Sequence, residues 1–277
     1  MRKPFANLTD LREFLDERVQ RYERPEFIVD DPVSIPHRYT HKADIEIAGL
    51  FAAVLAWGQR SVILRNAGEI LNRMDNKPHD FIVHHSSHDL KRLEGFVHRT
   101  FNDTDLLYFV YFLKYWYQQY ESLESLFSPA AGEANITSGL TRFHETFFSL
   151  PDAPQRTRKH IATPARNSAC KRINMYLRWM VRSNEGGVDF GLWNSIRPDQ
   201  LICPIDLHVE RVASKLGLIR AKAMNWNTAL ALTAKLKLLD PIDPVKYDFA
   251  LFGLGVVENY TLAAARRKRS LIARPNP

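Results

Sequence analysis

Cysteine is almost absent from this chain. Cys170 and Cys203 are the only two in 277 residues, and they do not form a Cys-x-x-Cys pair. An iron–sulfur cluster takes four thiolates and is therefore excluded, and two lone cysteines fit a reducing compartment. The glycine patterns of a Rossmann fingerprint and of a phosphate-binding loop are missing, as is any internal repeat. No run is long and apolar enough to cross a membrane, and Met1 to Phe5 lack the apolar core of a signal peptide, so a cytoplasmic protein is expected. Alternation of apolar and polar residues over a useful length is also lacking. What remains is an all-α fold.

The material for such a fold is ample. At 45% hydrophobic and 25% charged, the chain can bury a sizeable core. Its net charge of +7 is unevenly placed. Between Asp152 and Glu185 there is no acid, yet Arg156, Arg158, Lys159, Arg166, Lys171, Arg172, Arg178 and Arg182 are all present. This one segment carries the whole excess, as expected of a surface that meets a polyanion.

Periodicity divides the segment and its sequel into two helices. From Ser168 to Arg182, the residues Cys170, Ile173, Leu177, Met180 and Val181 form an apolar stripe, with Lys171, Asn174, Arg178 and Arg182 on the opposite face. After Pro204, Asp206 stands where an N-cap is expected. Ile205, Val209, Val212 and Leu216 then make the inward stripe, and Gly217 closes the helix. A lysine crowded by like charges and partly desolvated yields a fraction of free amine able to attack an electrophilic carbon. An aspartate brought near could take its proton or stabilise a positive, sugar-like transition state.

The run Lys171 to Leu177, followed by Ile205-Asp206-Leu207-His208-Val209-Glu210-Arg211-Val212, resembles the helix-hairpin-helix base-excision DNA glycosylase superfamily. There a lysine opens the second hairpin helix, and a downstream Val-Asp-Thr-His-Val-x-Arg-Val segment supplies the catalytic aspartate. The stretch Ile45 to Leu71 looks like that family's early apolar helix with its glutamine-bearing turn, and Val245 to Val257 looks like its late helix. The overall pattern also resembles a bacterial family of uncharacterised proteins, for which no activity is implied. Two departures stand out. The glycine-rich hairpin turn, whose backbone holds a DNA phosphate and a monovalent cation in the family, is replaced by Ala165 to Cys170 without a glycine. A stretch from Glu185 to Trp193 lengthens the connection from Lys171 to Asp206.

The resemblance implies two helical lobes around a cleft. One is made of the middle helices, approximately residues 45–150, and the other of residues 1–44 plus 151–277. It implies a DNA repair glycosylase with lyase activity and DNA as partner, and with two cysteines the chain would be a member without an iron–sulfur cluster; no metal is expected at the site. Lys171 would be the nucleophile and Asp206 the proton acceptor or charge stabiliser. Gln59 would fill the gap left by a flipped base, with Arg60 beside it on a phosphate or the opposite base. Arg166, Asn167, Arg172, Arg178, His208 and Arg211 would meet the DNA backbone.

The other segments fit the same class. Thr9-Asp10 begins a helix that Pro25 ends, and Phe27 to His41 reads as an ordered loop. Leu106 to Tyr117 is an aromatic helix suited to core packing. Pro78 to His98 reads as a polar loop. Its His84, His85 and His88 keep alive a metal-dependent His-Asp phosphohydrolase, just as a helical protein that binds nucleic acid without catalysis stays open. The basic tail Ala264 to Arg269 is suited to nonspecific phosphate contact.

Overall fold

The computed structural model describes residues 5, 7–220 and 223–260, and it is mostly helical, as expected. In chain order its helices are α1 (Leu8–Tyr22), α2 (Lys42–Val54), α3 (Arg60–Arg73), α4 (Pro78–His84), α5 (Ser87–Leu90), α6 (Asp103–Tyr117), α7 (Glu124–Phe127), α8 (Thr137–Phe147), α9 (Lys171–Val181), α10 (Leu207–Lys215), α11 (Trp226–Lys237) and α12 (Tyr247–Val256). Short 3-10 turns join many of them. Strands β1 (Val97–His98) and β2 (Phe101–Asn102) form one small antiparallel hairpin. The stretch Pro78 to His98, expected to be a loop, thus holds α4, α5 and the first strand. Pro78 at the start of α4 and a capping box between Ser86 and Asp89 supply the local start signals.

Helix α2 is the centre of the packing. It touches α3, α4 and α9, and its residues from Ile45 to Val54 are buried on every side. Apolar character all round suits a helix enclosed by others. Close approach to α9 is possible because residue 49 is glycine: a Cβ there would lie 3.1 Å from both Met180 and Tyr176. Of the two acids in this helix, Asp44 stands in the first turn and Glu46 is fully buried. The Glu46 carboxylate accepts from Tyr117 Oη at 2.8 Å, Ser122 Oγ at 2.5 Å, Leu123 N at 3.0 Å and Trp193 Nε1 at 2.7 Å. It therefore ties α2 to α6, to the turn before α7 and to the chain that follows α9.

The ends of the described chain meet. Helix α1 packs on α12, and α12 packs on α10. Gly253 permits the first contact, since a Cβ there would lie 2.2 Å from the Tyr22 ring. One apolar cluster runs through all of these helices, from Leu11 to Tyr260.

Helix α9 begins at Lys171, not at Ser168. Asn167 and Cys170 take the left-handed conformation, at φ 54° and 50°, and Ser168 bridges to Asn225. The turn is thus made without glycine, by an asparagine that tolerates this region and a cysteine that does so less readily. Before it stand two 3-10 turns, Gln155–Lys159 and Pro164–Arg166, where a helical hairpin would have its first α-helix. Helix α10 follows the expectation closely. Asp206 is its N-cap, and Gly217, at φ 76°, lets Leu218 N reach back to Ala213 O at 2.9 Å.

The four donors on Glu46 give a direct test. Glu46→Ala leaves them buried without a partner, and unfolding in urea is expected to show a loss of about 3–5 kcal/mol. A loss below about 1 kcal/mol would mean that water replaces the carboxylate.

Candidate active site

Two helix starts converge to make the site. Lys171 is the first residue of α9, and Asp206 caps α10. Asp206 Oδ1 accepts from His208 N at 2.9 Å and Val209 N at 3.0 Å, which fixes the side chain and leaves Oδ2 uncommitted to the cap. That oxygen lies 3.9 Å from Lys171 Nζ. The side chains keep 30% and 26% of their surface, so both can be reached by a ligand.

The pair stands on a rim between two concavities, both of which it lines together with Ala56. On one side lies a small pocket of about 140 Å³, below the roughly 300–1,000 Å³ of drug-sized ligand sites. Its walls are largely apolar, with Phe27, Ile28, Met175, Phe249 and Phe252 among them. Arg178 and Asp248 also line it. On the other side is an open groove of about 450 Å³, lined by Trp57, Lys159, Ser168, Leu207 and Met224 among others. Leu207 and Met224 are exposed hydrophobic side chains.

The expected basic stripe on α9 does not face solvent. Asn174, Arg178 and Arg182 are all buried, and the helix is enclosed on every side from Ile173 to Val181. Arg178 lies between two acids, with Nε 3.3 Å from Asp189 Oδ1 and Nη1 2.5 Å from Asp248 Oδ2, and its guanidinium sits 4.1 Å from the Phe249 ring centre. Arg182 meets Asp189 at 2.5 Å, Glu23 at 2.8 Å and Asp243 at 2.9 Å. Arg172 donates to Val54 O, at the end of α2, and to His160 O at 3.2 Å. Burial pulls the pKa of Arg172 down, whereas the neighbouring acids outweigh burial at Arg178 and Arg182 and push theirs up.

The structure thus holds Arg178 in buried ion pairs rather than on an open face, whereas Arg172 is half-buried, bonded to two carbonyls, and still lines the groove. The physical reason is that acids distant in sequence neutralise Arg178 and Arg182, an effect that local periodicity cannot register. Lys171 is accordingly not crowded by free like charges. The charge that faces it at close range is the Asp206 carboxylate.

The other expected contacts remain at the surface. Gln59 and Arg60 are exposed at the start of α3, where Arg60 lines the pocket and lies 5.8 Å from the centre of the Phe252 ring. Arg166 and Asn167 are exposed in the turn before α9, and His208 and Arg211 on α10. His84 pairs with Asp80 at 2.9 Å and His85 bonds Phe81 O at 3.0 Å. Among the described residues no group of three His, Cys, Asp or Glu side chains is gathered as a metal ion requires. Both cysteines are buried, and burial pushes the Cys170 thiol up to about 12 and Cys203 well above its ordinary value. The basic tail Ala264 to Arg269 lies outside the described residues.

Two features escaped the periodicity. Arg99, exposed in the β1–β2 turn, stacks 4.9 Å above Trp57 at the edge of the groove. Asp248, a lone acid in the apolar run Tyr247 to Val256, lines the pocket, and that isolation is the signal by which it could have been found. Desolvation outweighs the favourable charges of Arg178 and Lys171 and raises the Asp248 carboxyl to about 6.

Two stability measurements follow from this charge cluster. Arg178→Met leaves Asp189 and Asp248 short of a counter-charge and is expected to cost about 3–5 kcal/mol by chemical denaturation. Preserved stability would return Arg178 to the surface. An acid whose folded pKa is raised contributes stability below its unfolded pKa, and this is lost as pH rises through the folded value. Wild type should therefore lose ground to Asp248→Asn as pH rises from about 5 to about 8, in thermal melts of the two proteins. A difference that stays constant over this range would mean that Asp248 is ionised throughout.

Comparison with known proteins places the chain without giving it an activity. No curated protein and no solved structure matches it. Residues 31–257 match a family described as Protein of unknown function (DUF2400), a span that takes in the pocket lining except Phe27 and Ile28, both helix starts that form the site, and the Arg178 cluster behind them. The chain belongs to that family.

Proposed function

We propose that the protein is a DNA base-excision glycosylase with an associated lyase step, built as two helical lobes with the site in the cleft between them. The observation that carries this reading is a solvent-reached lysine amine 3.9 Å from a capped aspartate, on the rim between an aromatic pocket and an open groove. A flipped base needs a pocket with flat apolar walls, and its sugar then lies at the rim, where the amine is. The resemblance of both helix starts to those of the helix-hairpin-helix glycosylases supports the same assignment.

In this reading the strand follows the groove, and the damaged base enters the pocket. Asp206 Oδ2 takes a proton from Lys171, whose neutral amine attacks the sugar carbon that bears the base. The carbon–nitrogen bond to the base breaks, and its electron pair leaves with the base. The new bond from Lys171 to carbon becomes a Schiff base when the sugar ring opens. The Asp206 carboxylate, held by its cap bonds, also faces the positive charge that develops on the sugar. Arg60, Lys159 and Arg166 supply phosphate contacts, and Gln59 or the stacked Trp57 fills the gap in the duplex. The chemistry calls for no resident cofactor.

Borohydride trapping tests the proposal. The protein is incubated with duplexes containing an abasic site, uracil or oxidised guanine, the reductant is added, and a covalent protein–DNA band is sought. The band is expected with wild type and absent in Lys171→Gln, which should still bind DNA. A band that survives Lys171→Gln would sink the assignment of the amine. Salt-dependent binding with neither a band nor base release would identify a binding protein instead. Arg60→Ala with Lys159→Ala should reduce the salt dependence of binding by about two counter-ions' worth of slope, as measured by anisotropy at several salt concentrations. An unchanged slope would place the DNA elsewhere.

A further inference from the structure

The floor of the pocket carries two polar groups whose hydrogen bonding is incomplete. Asp248 uses Oδ2 for Arg178, and among the described residues its Oδ1 makes no hydrogen bond. Arg178 uses Nε for Asp189 and Nη1 for Asp248, and its Nη2 makes none among the described residues. Neither free atom is among the buried polar atoms that lack both a partner and solvent. Since both residues are almost wholly buried and both line the pocket, the pocket is where these atoms can meet solvent or a ligand. Phe249, Phe252 and Met175 give the pocket apolar wall, and Asp31 and Arg60 are its other charged side chains apart from the Lys171–Asp206 pair at the rim.

An acceptor and a donor side by side, fixed on each other by a salt bridge, complement an edge that presents a donor beside an acceptor. A charge-assisted bond to a carboxylate favours the more acidic N–H, and a guanidinium favours a carbonyl oxygen with its two lone pairs. A lactam edge, a ring N–H next to C=O, offers both. An amidine edge offers a weaker N–H and a ring nitrogen. A base alkylated or bridged at this edge offers no N–H and would leave Asp248 unpaired against an apolar wall, which a buried carboxylate does not tolerate well.

We propose that Asp248 Oδ1 and Arg178 Nη2 are the specificity-determining atoms of this pocket and that its substrate class is a base with a lactam edge, such as uracil, hypoxanthine or oxidised guanine. The assignment rests on the glycosylase reading above. Phe249 and Phe252 supply the apolar face, and the Asp248–Arg178 pair decides which edge is accepted. Asp189 acts at one remove, because it holds Arg178 from the other side at 3.3 Å and so is a positioning residue.

The test compares base release with abasic-site trapping, using the full chain, in wild type and Asp248→Asn. The duplexes carry uracil, hypoxanthine, oxidised guanine, ethenoadenine (which lacks an N–H on that edge) or an abasic site. Wild type should release at least one of the lactam bases and leave ethenoadenine in place. In Asp248→Asn, release should fall at least about tenfold more than trapping at the abasic site, because only release uses the base edge. The abasic arm also reports whether the variant is folded. Release and trapping that fall by the same factor would overturn the role of Asp248, and release of ethenoadenine at a comparable rate would overturn the lactam class. Trapping by wild type without release of any base would remove the proposal while leaving the amine chemistry standing. Absence of trapping and release alike would remove the glycosylase reading and this inference with it.

Discussion

A single buried guanidinium, that of Arg178, holds the site in place. It reaches from the middle of α9 to Asp189 on one side and to Asp248 of α12 on the other. Break that bridge and three segments lose their reference: the helix that bears Lys171, the stretch after α9, and the helix that floors the pocket. Placing an arginine and two aspartates out of water costs several kcal/mol per ion, which their mutual attraction offsets only with good geometry. Hydrophobic residues of similar volume could stabilise the same packing at least as well. What they could not do is put a partly bonded carboxylate and guanidinium at the base of an apolar pocket.

The stretch Glu185 to Trp193 takes its meaning from the same cluster. It lengthens the connection between the two helix starts, yet it is tightly integrated. Phe190 N and Leu192 N donate to Trp179 O and Met180 O at 2.7 Å each, satisfying carbonyls at the end of α9. Asp189 serves Arg178 and Arg182 together, and Trp193 closes on Glu46 in the central helix. The added residues act as the wall that turns an apparently amphipathic helix into an enclosed one. Much of the positive excess read from Arg156 to Arg182 is thereby withdrawn from the surface. The cations left near the groove and the pocket mouth are Arg60, Arg99, Lys159, Lys171, the half-buried Arg172 and the exposed Arg166.

How far the sequence could lead is decided by the range over which each signal acts. Local signals served well. The Asp206 cap, the Gly217 stop and the helical class are properties of neighbours in the chain and appear where they were expected, while the apolar helix expected over Ile45 to Trp57 starts earlier, at Lys42, and ends at Val54. The proximity of Lys171 to Asp206 came from resemblance, since 35 residues separate them and no periodicity links them. The fates of Arg172, Arg178 and Arg182 were illegible because their partners are main-chain carbonyls or acids from remote segments. Glu23, Asp189 and Asp243 each look like an ordinary surface acid until the chain folds, and only Asp248, isolated in an apolar run, carries a signal in the sequence. A helix wheel cannot distinguish a face turned to water from one turned to buried carboxylates.

One location defies local preference, and it is the point on which the proposed chemistry turns. A helix start favours negative charge, yet α9 begins with Lys171, and the residue before it, Cys170, is held at φ 50° in a region that a cysteine seldom adopts. Neither choice helps the helix. Cys170 is buried and its thiol is far from ionising, so the residue is not there as a nucleophile. Its conformation sets the direction in which the chain enters α9, and that direction brings Lys171 to the rim opposite the Asp206 cap. Asp206, by contrast, satisfies every local rule, being a good cap at an end that welcomes its charge. The site thus pairs an inexpensive residue with a costly one, and the cost falls on the side chain that the reaction would consume and regenerate. Such an arrangement fits a functional demand better than a structural one, since neither the charge nor the conformation stabilises the helix.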